Sequence, residues 1–357
     1  MYVRALITAL AISRAIYAEA PVYQDRRNLL VYQDGRGNSH EVRTRADWLR
    51  RRAHVLENME KVMGPRPARK LPAPEVTVLE ETRLPGYVRR KITYSTDQGD
   101  RVPAYLLIPA HRSGKLPAML CLHQTTRIGK AEPAGLGTNQ NLAYAAELAG
   151  RGYVTIAPDY PNFGEYKFDP YANGYASATM KGIRNHMGAV DVLASLPEVD
   201  RRRIGAIGHS LGGHNALFAA VFDERIAAVV TSCGFTSFAK YKGGDLTGWS
   251  HRGYMPRIAE LFGRDPVKMP FDFSEILAAI APRAVFVNAP RRDDNFEVTG
   301  VEDCVRAALP VFDRVYGKRD RLVAVYPDSA HEFPPEVRRA SYDFLDLWLN
   351  GLRISIR

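Results

Sequence analysis

Two hydrophobic patterns divide the chain into an early segment and a longer alternating body. Up to about residue 115, one helical run is followed by short strand-like runs separated by turn residues, which favours an antiparallel start to a sheet. From residue 116, short apolar runs alternate with helical runs. This alternation predicts an α/β fold, a mostly parallel central sheet with helices on both faces.

The predicted elements follow from the spacing of apolar residues and from the turn residues between them. The helices are predicted at residues 46–63, 141–150, 179–196, 211–222, 301–316 and 335–352. The strands are predicted at residues 76–79, 87–95, 102–108, 118–122, 153–157, 204–208, 227–233, 284–289 and 322–326. Residues 159–178 (the first excursion) and 234–280 (the second excursion) break the alternation. Each follows the carboxyl end of a strand, where α/β sheets place their binding sites.

The pattern divides the chain into three parts. Residues 1–20 hold a short apolar stretch that ends in Ala18-Glu19-Ala20, the small-x-small form of a cleavage site. We expect an export signal there, with an ordinary amphipathic segment as the alternative. With an export signal, the protein is expected in the periplasm or outside the cell. With the amphipathic segment instead, it is expected in the cytoplasm. Residues 21–75 form an Arg-rich extension with one helix, and residues 76–357 form the catalytic domain with its two excursions.

Composition and charge exclude several classes of protein. Hydrophobic residues make up 46% and charged residues 25% of the chain, which are ordinary globular values. No apolar run is long enough to span a bilayer, so no integral membrane association is expected. Residues 1–70 hold 14 Lys and Arg against 7 Asp and Glu, and so carry most of the net charge of +10. The nearly balanced body lacks a basic face for nucleic acid. The oligomeric state is left open.

The three cysteines are too few and too scattered for a disulfide framework or a zinc site. Cys121 and Cys233 lie in apolar strand-like runs, where a buried thiol is the usual arrangement. Cys304 lies in a helical run. We therefore expect neither a metal nor a cofactor.

The strongest chemical signal is the pentapeptide Gly208-His209-Ser210-Leu211-Gly212. A strand-like run precedes it and a helical run follows it, which is the context that a nucleophile elbow requires. The small residues on either side of the serine leave room for the sharp turn. The start of the helix points its free N–H groups at the developing oxyanion. We predict that Ser210 is a catalytic nucleophile.

A serine nucleophile needs a base and an acid that orients the base. His331 follows the last predicted strand and precedes the final helix, and the order serine, acid, histidine is the order used in this architecture. The acid should follow the strand at residues 284–289. We predict Asp293, with Asp294 as the alternative acid.

The oxyanion hole needs two backbone donors. One should be the N–H of Leu211, directly after the nucleophile. The other should come from the loop after the strand at residues 118–122, and there we predict Thr125, with Gln124 in reserve.

The elbow, His331 and several short motifs of this chain resemble those of a known protein family. From about residue 76 to 352 the chain resembles an α/β-hydrolase, nearest to the bacterial acetyl xylan esterase and dienelactone hydrolase-like group, with some similarity to the catalytic domain of prolyl oligopeptidase-type peptidases. Two departures are Gln124, where many members carry glycine, and the acid loop, which lacks a frequent glycine. The matching residues are the loop His123-Gln124-Thr125, Pro158-Asp159-Tyr160, Pro197-Glu198-Val199-Asp200, Arg203-Ile204-Gly205, the elbow and His331.

The two excursions hold aromatic residues beside polar groups, which suits stacking against a sugar or an aromatic acid. The alternative is that most of these side chains pack the excursions onto the body. The candidate cleft residues are His123, Tyr160, Trp249, His251 and Tyr254.

The sequence therefore predicts a serine carboxylic-ester hydrolase that works through an acyl-enzyme. The expected substrate is a carbohydrate-linked or other small ester, of acetyl, methyl glucuronate or feruloyl type. A serine peptidase is one alternative, although about 55 residues of extension cannot supply the propeller of the peptidases it resembles. A non-catalytic binding module of the same fold is the other, and the intact Ser210, Asp293 and His331 argue against it.

Overall fold

The structure, a computed structural model, describes residues 20–66, 74–111 and 113–351. The expected export signal at residues 1–20 lies outside these ranges except for Ala20. Among the described residues, no helix combines the length and the apolar character needed to cross a membrane.

A central sheet of nine strands organises the described part of the chain. A separate antiparallel hairpin, β1 and β2, precedes it. In the sheet, the neighbours among β6 to β11 pair in parallel, whereas β3, β4 and β5 pair antiparallel and join through β5 to β7. The sheet order is β11-β10-β9-β8-β6-β7-β5-β4-β3. The strands are β1 Val31–Gln33, β2 Ser39–Glu41, β3 Val76–Leu84, β4 Tyr87–Ser95, β5 Arg101–Pro109, β6 Leu116–Leu122, β7 Val154–Pro158, β8 Val199–His209, β9 Ile226–Ser232, β10 Ala284–Asn288 and β11 Leu322–Val325.

Helices cover both faces of the sheet. One core holds residues of α1, α3, α4, α6 and α7, and the other core holds residues of α2 and α8. The predicted fold class is therefore confirmed, including its antiparallel start. The helices are α1 Arg45–Met63, α2 Tyr144–Gly150, α3 Ala178–Ser195, α4 Leu211–Phe222, α5 Arg257–Glu260, α6 Phe273–Ile280, α7 Val298–Pro310 and α8 Pro335–Leu345.

Helix α6 lies inside the second excursion, where no helix was predicted. It begins with a capping box, in which Asp272 and Glu275 each accept a hydrogen bond from the other's backbone N–H. The spacing of these two acidic residues was the local signal for this helix start. The helix is buried along its whole length, so its sequence lacks the polar face that marks a surface helix.

The N-terminal extension packs into the body of the protein. Helix α1 buries Trp48, Val55 and Met59 completely in the main core. Arg51 pairs with Glu275 of α6, and both side chains are fully buried. Helix α1 is thus an integral wall of the core beneath the second excursion.

Candidate active site

Ser210 lies at the sharp turn between β8 and α4, with φ +54° and ψ −117°. A non-glycine residue rarely adopts such a backbone conformation, and such strain is common at functional sites. A Cβ atom at Gly212 would overlap the backbone carbonyl of Leu122, and one at Gly208 would overlap the backbone of Gly212. Glycine is therefore required on both sides of the serine. The backbone N–H of Ser210 donates to Ser232 O at 2.8 Å, which fixes the turn against β9.

His331 and Asp293 meet directly in the loops after β11 and β10. Nδ1 of His331 lies 2.9 Å from both carboxylate oxygens of Asp293. The Asp293 side chain is 1% exposed and the His331 side chain is 23% exposed. Because the carboxylate accepts a hydrogen bond from Nδ1–H, Nε2 is the nitrogen with a free lone pair. This is the arrangement that a serine hydrolase base needs.

The surroundings of Asp293 keep it ionised. Burial raises the pKa of the carboxyl group, but the hydrogen bond and charge of His331 and the N–H groups of Phe296 and Asn295 outweigh burial and hold it below its usual value. Asn295 N and Phe296 N donate to Oδ1 at 2.8 and 3.0 Å. The side chain of Asp294, by contrast, is exposed. The structure thus brings Asp293 to the histidine, and the role of each residue stays a prediction.

The loop after β6 lies against the elbow, because Gly212 packs on the backbone of Leu122 and His123. Thr125 Oγ1 forms a hydrogen bond of 3.2 Å with Tyr254 OH, and the Gln124 side chain donates to Glu132 at 3.3 Å. Both candidates for the second oxyanion donor therefore lie in the loop whose first residue, His123, packs on the elbow. Leu211, the first candidate donor, is the first residue of α4. Their donor roles remain predictions.

Three of the five candidate cleft residues are almost fully buried. His123, Tyr160 and Trp249 are each 2% exposed. Nε2 of His123 accepts from Tyr160 N at 2.9 Å and Nδ1 lies 2.6 Å from Gln124 O, so this imidazole holds two loops together. His123 and Tyr160 also line a small cavity next to Leu211 and Gly212 of the elbow, and the contact of these residues with a substrate stays a prediction. Tyr254 is half-buried and His251 is exposed, with ring centroids 4.3 Å apart.

The two other histidines of the elbow region, His209 and His214, are buried and neutral. Burial lowers the pKa of each to about 3. Nδ1 of His209 lies 2.9 Å from Ser232 Oγ, and Nδ1 of His214 lies 3.1 Å from Gly234 O. Both therefore support the packing around Ser210.

A buried polar contact that the sequence analysis missed fixes the loop of the base. The side-chain amide of Asn288, at the end of β10, donates to Ser232 Oγ at 2.9 Å and to Glu332 O at 3.0 Å. Glu332 directly follows His331. Asn288 was detectable only as a lone polar residue at the end of an apolar strand. It positions the residue next to the base and is itself fully buried.

Arginine residues of the extension anchor the second excursion. The Arg26 guanidinium donates to the carbonyls of Pro266 at 2.7 Å and Val267 at 3.2 Å. Arg52 donates to Ala279 O at 2.8 Å and to Val221 O at 3.0 Å, near the ends of α6 and α4. The extension therefore holds both the excursion that carries Tyr254 and the helix that begins at the elbow.

Comparisons with known proteins agree with the observed fold. A model of the dienelactone hydrolase family matches residues 102–242, and a model described as glucuronyl esterase, fungi, matches residues 174–316. The chain has the fold of the α/β-hydrolases. YtaP of Bacillus subtilis is 26% identical to this chain over 313 residues, which cover 84% of this chain and all of YtaP.

Other proteins similar to this chain are esterases by name. The 4-O-methyl-glucuronoyl methylesterase of Hypocrea jecorina is 24% identical over 60% of this chain and 44% of its own length. A glucuronoyl esterase structure from Solibacter usitatus aligns with a TM-score of 0.71 at 19% identity, over 92% of this chain and 99% of that chain. An acetyl xylan esterase from Paenibacillus sp. R4 aligns with a TM-score of 0.56 at 19% identity, over 79% and 90%.

Proposed function

We propose that this α/β-hydrolase cleaves carboxylic esters through an acyl-enzyme on Ser210. His331 accepts the serine proton at Nε2 as Oγ attacks the ester carbonyl, and then returns it to the leaving alcohol. The N–H of Leu211 and a second N–H from the loop at 123–126 stabilise the oxyanion. A water molecule, activated by the same Nε2, releases the acid and restores Ser210.

One observation carries this proposal. The buried Asp293 carboxylate holds Nδ1 of His331, while Ser210 occupies a strained turn at the start of α4. A binding module would gain nothing from a strained serine, a buried carboxylate and an oriented imidazole after the ends of β8, β10 and β11. A strained backbone conformation raises the free energy of the folded state, and such conformations cluster at functional sites.

The proposed substrate is an ester attached to a carbohydrate. The relatives described above are named for glucuronoyl and acetyl xylan esters. The half-buried Tyr254 forms a hydrogen bond through its hydroxyl with Thr125, in the loop predicted to supply the second oxyanion donor, and it leaves part of its side chain exposed. A sugar can stack on such a ring.

A substrate panel tests the proposal. The purified chain is assayed with p-nitrophenyl acetate, acetylated xylan, benzyl glucuronate, methyl ferulate and a dipeptide anilide, with Ser210→Ala as the matched control. We expect hydrolysis of at least one carbohydrate ester, no release of anilide, and loss of turnover in the variant. Faster cleavage of the anilide than of any ester would identify a peptidase. Binding of xylan without turnover of any ester would identify a binding module.

We also propose that the protein is exported. The charged start, short apolar stretch and small-x-small site of residues 1–20 support this. Expression of the full chain in a bacterial host, followed by N-terminal sequencing of the periplasmic fraction, tests it. A chain that stays in the cytoplasm with residues 1–20 intact would contradict export.

A further inference from the structure

Three side chains of different donor chemistry meet where β9, β10 and β11 end. They are Cys233, Asp293 and His331, which follow these strands in turn. Cys233 Sγ, a carboxylate oxygen of Asp293 and a ring nitrogen of His331 all lie within 4.8 Å of one another. The Cys233 thiol is buried and donates to Glu332 O at 3.3 Å. No step of the proposed reaction uses this thiol.

We propose that this cluster is an inhibitory site for a thiophilic divalent cation such as Zn²⁺. Thiolate sulfur, imidazole nitrogen and carboxylate oxygen are the three ligand types that zinc takes from proteins. Zinc lies about 2.0 to 2.3 Å from such ligands and is almost always tetrahedral, which puts two ligands of one ion roughly 3.3 to 3.7 Å apart. Nδ1 of His331 lies 2.9 Å from the Asp293 carboxylate, and the whole cluster spans at most 4.8 Å, so shifts of about 1 Å close it around the ion.

The charges of the cluster suit a divalent cation. The Asp293 carboxylate and a Cys233 thiolate together balance a charge of +2, so the bound ion leaves no net charge in a buried place. The His331 side chain is 23% exposed, and three protein ligands leave the fourth position of a tetrahedral ion for water. Among the described residues, Cys121 and Cys304 belong to no such cluster.

The bound ion would switch off the base. Because Asp293 meets the imidazole at Nδ1, the ion would take the Nδ1 lone pair. The Nδ1 proton then moves to Nε2, and the thiol proton of Cys233 leaves to solvent. With a proton on Nε2, His331 cannot accept the proton of Ser210. The inhibition rests on the proposed function, whereas the binding of the ion does not.

Binding is measured first, without reference to activity. Co²⁺ replaces Zn²⁺ as the spectroscopic probe, because a thiolate ligand gives an absorption band in the near ultraviolet. We expect one Co²⁺ per chain with this band in the wild type and in Ser210→Ala. The band should be absent in Cys233→Ser and retained in Cys304→Ser, which also removes a buried thiol. A band that survives in Cys233→Ser, or no band in the wild type, would overturn the site.

Inhibition is then measured with Zn²⁺ on the ester that the chain hydrolyses best. Each variant is compared with its own rate in EDTA. Serine at position 233 keeps a donor for the Glu332 carbonyl but loses the soft ligand. We expect saturable inhibition of the wild type, reversal by EDTA, and at least an approximately tenfold higher half-inhibiting concentration in Cys233→Ser. Equal inhibition of the wild type and Cys233→Ser would refute the mechanism of inhibition. A chain that shows the Co²⁺ band but has no esterase activity would contradict the proposed function and leave the metal site standing.

Discussion

Replacing Asp293 with asparagine keeps the shape of the side chain and exchanges one carboxylate oxygen for an amide nitrogen. Oδ1 already accepts hydrogen bonds from Asn295 N at 2.8 Å and Phe296 N at 3.0 Å, so the amide oxygen must stay there. The NH₂ group then replaces Oδ2 and faces Nδ1 of His331 at about 2.9 Å. Oδ1 is also 2.9 Å from Nδ1, but the two backbone N–H groups already occupy both of its lone pairs. Because NH₂ only donates, the variant favours the imidazole tautomer that turns a lone pair toward NH₂ and carries its proton on Nε2.

The wrong tautomer removes the base while leaving the fold intact. We expect Asp293→Asn to lower kcat by about 10⁴-fold, the size of effect that this change has in serine proteases. That factor corresponds to about 5.4 kcal/mol of transition-state stabilisation. The matched control is Asp294→Asn, an exposed neighbour, which should cost less than about tenfold.

The assay measures initial rates of both variants with one small ester over a range of pH. It shows which of the two aspartates the base depends on. Urea unfolding of each variant checks that the fold is retained. If Asp293→Asn loses less than about tenfold in kcat, the tautomer argument fails, because the loss it requires is about 10⁴-fold. If Asp294→Asn is the crippled variant, the acid has been assigned to the wrong residue of the loop.

Three further predictions concern the nucleophile and the stability of the fold. Ser210→Ala should lower kcat by at least about 10³-fold, since a triad acts as a unit, and a fluorophosphonate should label the wild type at Ser210 and leave the variant unlabelled. The free energy of unfolding should fall as pH drops from about 6.5 toward about 3. In this range the unfolded chain binds a proton at His214, whereas the buried side chain in the folded protein, with its pKa lowered to about 3, stays neutral. His214→Gln should make this fall shallower by about 1.4 kcal/mol per pH unit in urea titrations between about pH 6 and 4, and an unchanged slope would count against the neutral histidine. Arg51→Met leaves Glu275 buried without its partner and should lower the free energy of unfolding by about 3 to 5 kcal/mol. The control is Arg292→Met, which removes an exposed ion pair. Equally small losses in both variants would show that the buried pair contributes little.

In the two excursions, sequence patterns did not predict which side chains are buried or where helix α6 lies. Trp249 and Tyr160 were expected in the cleft, yet both rings are buried in the body. An aromatic residue suits a binding surface and a core equally well, and nothing in its local sequence says which of the two surrounds it. Helix α6 was missed for a related reason, since a fully buried helix has no alternation of polar and apolar faces.

The sequence by itself determined the alternation of strands and helices and the elbow around Ser210, because each depends on residues close together in the chain. It also placed His331 and two adjacent aspartates in the loops after the last strands. Only the tertiary structure decided which aspartate meets the imidazole, and that Asn288 and Cys233 lie beside the base. These contacts join loops about 40 to 100 residues apart, and it is the parallel order of β9, β10 and β11 that brings their carboxyl ends to one edge of the sheet.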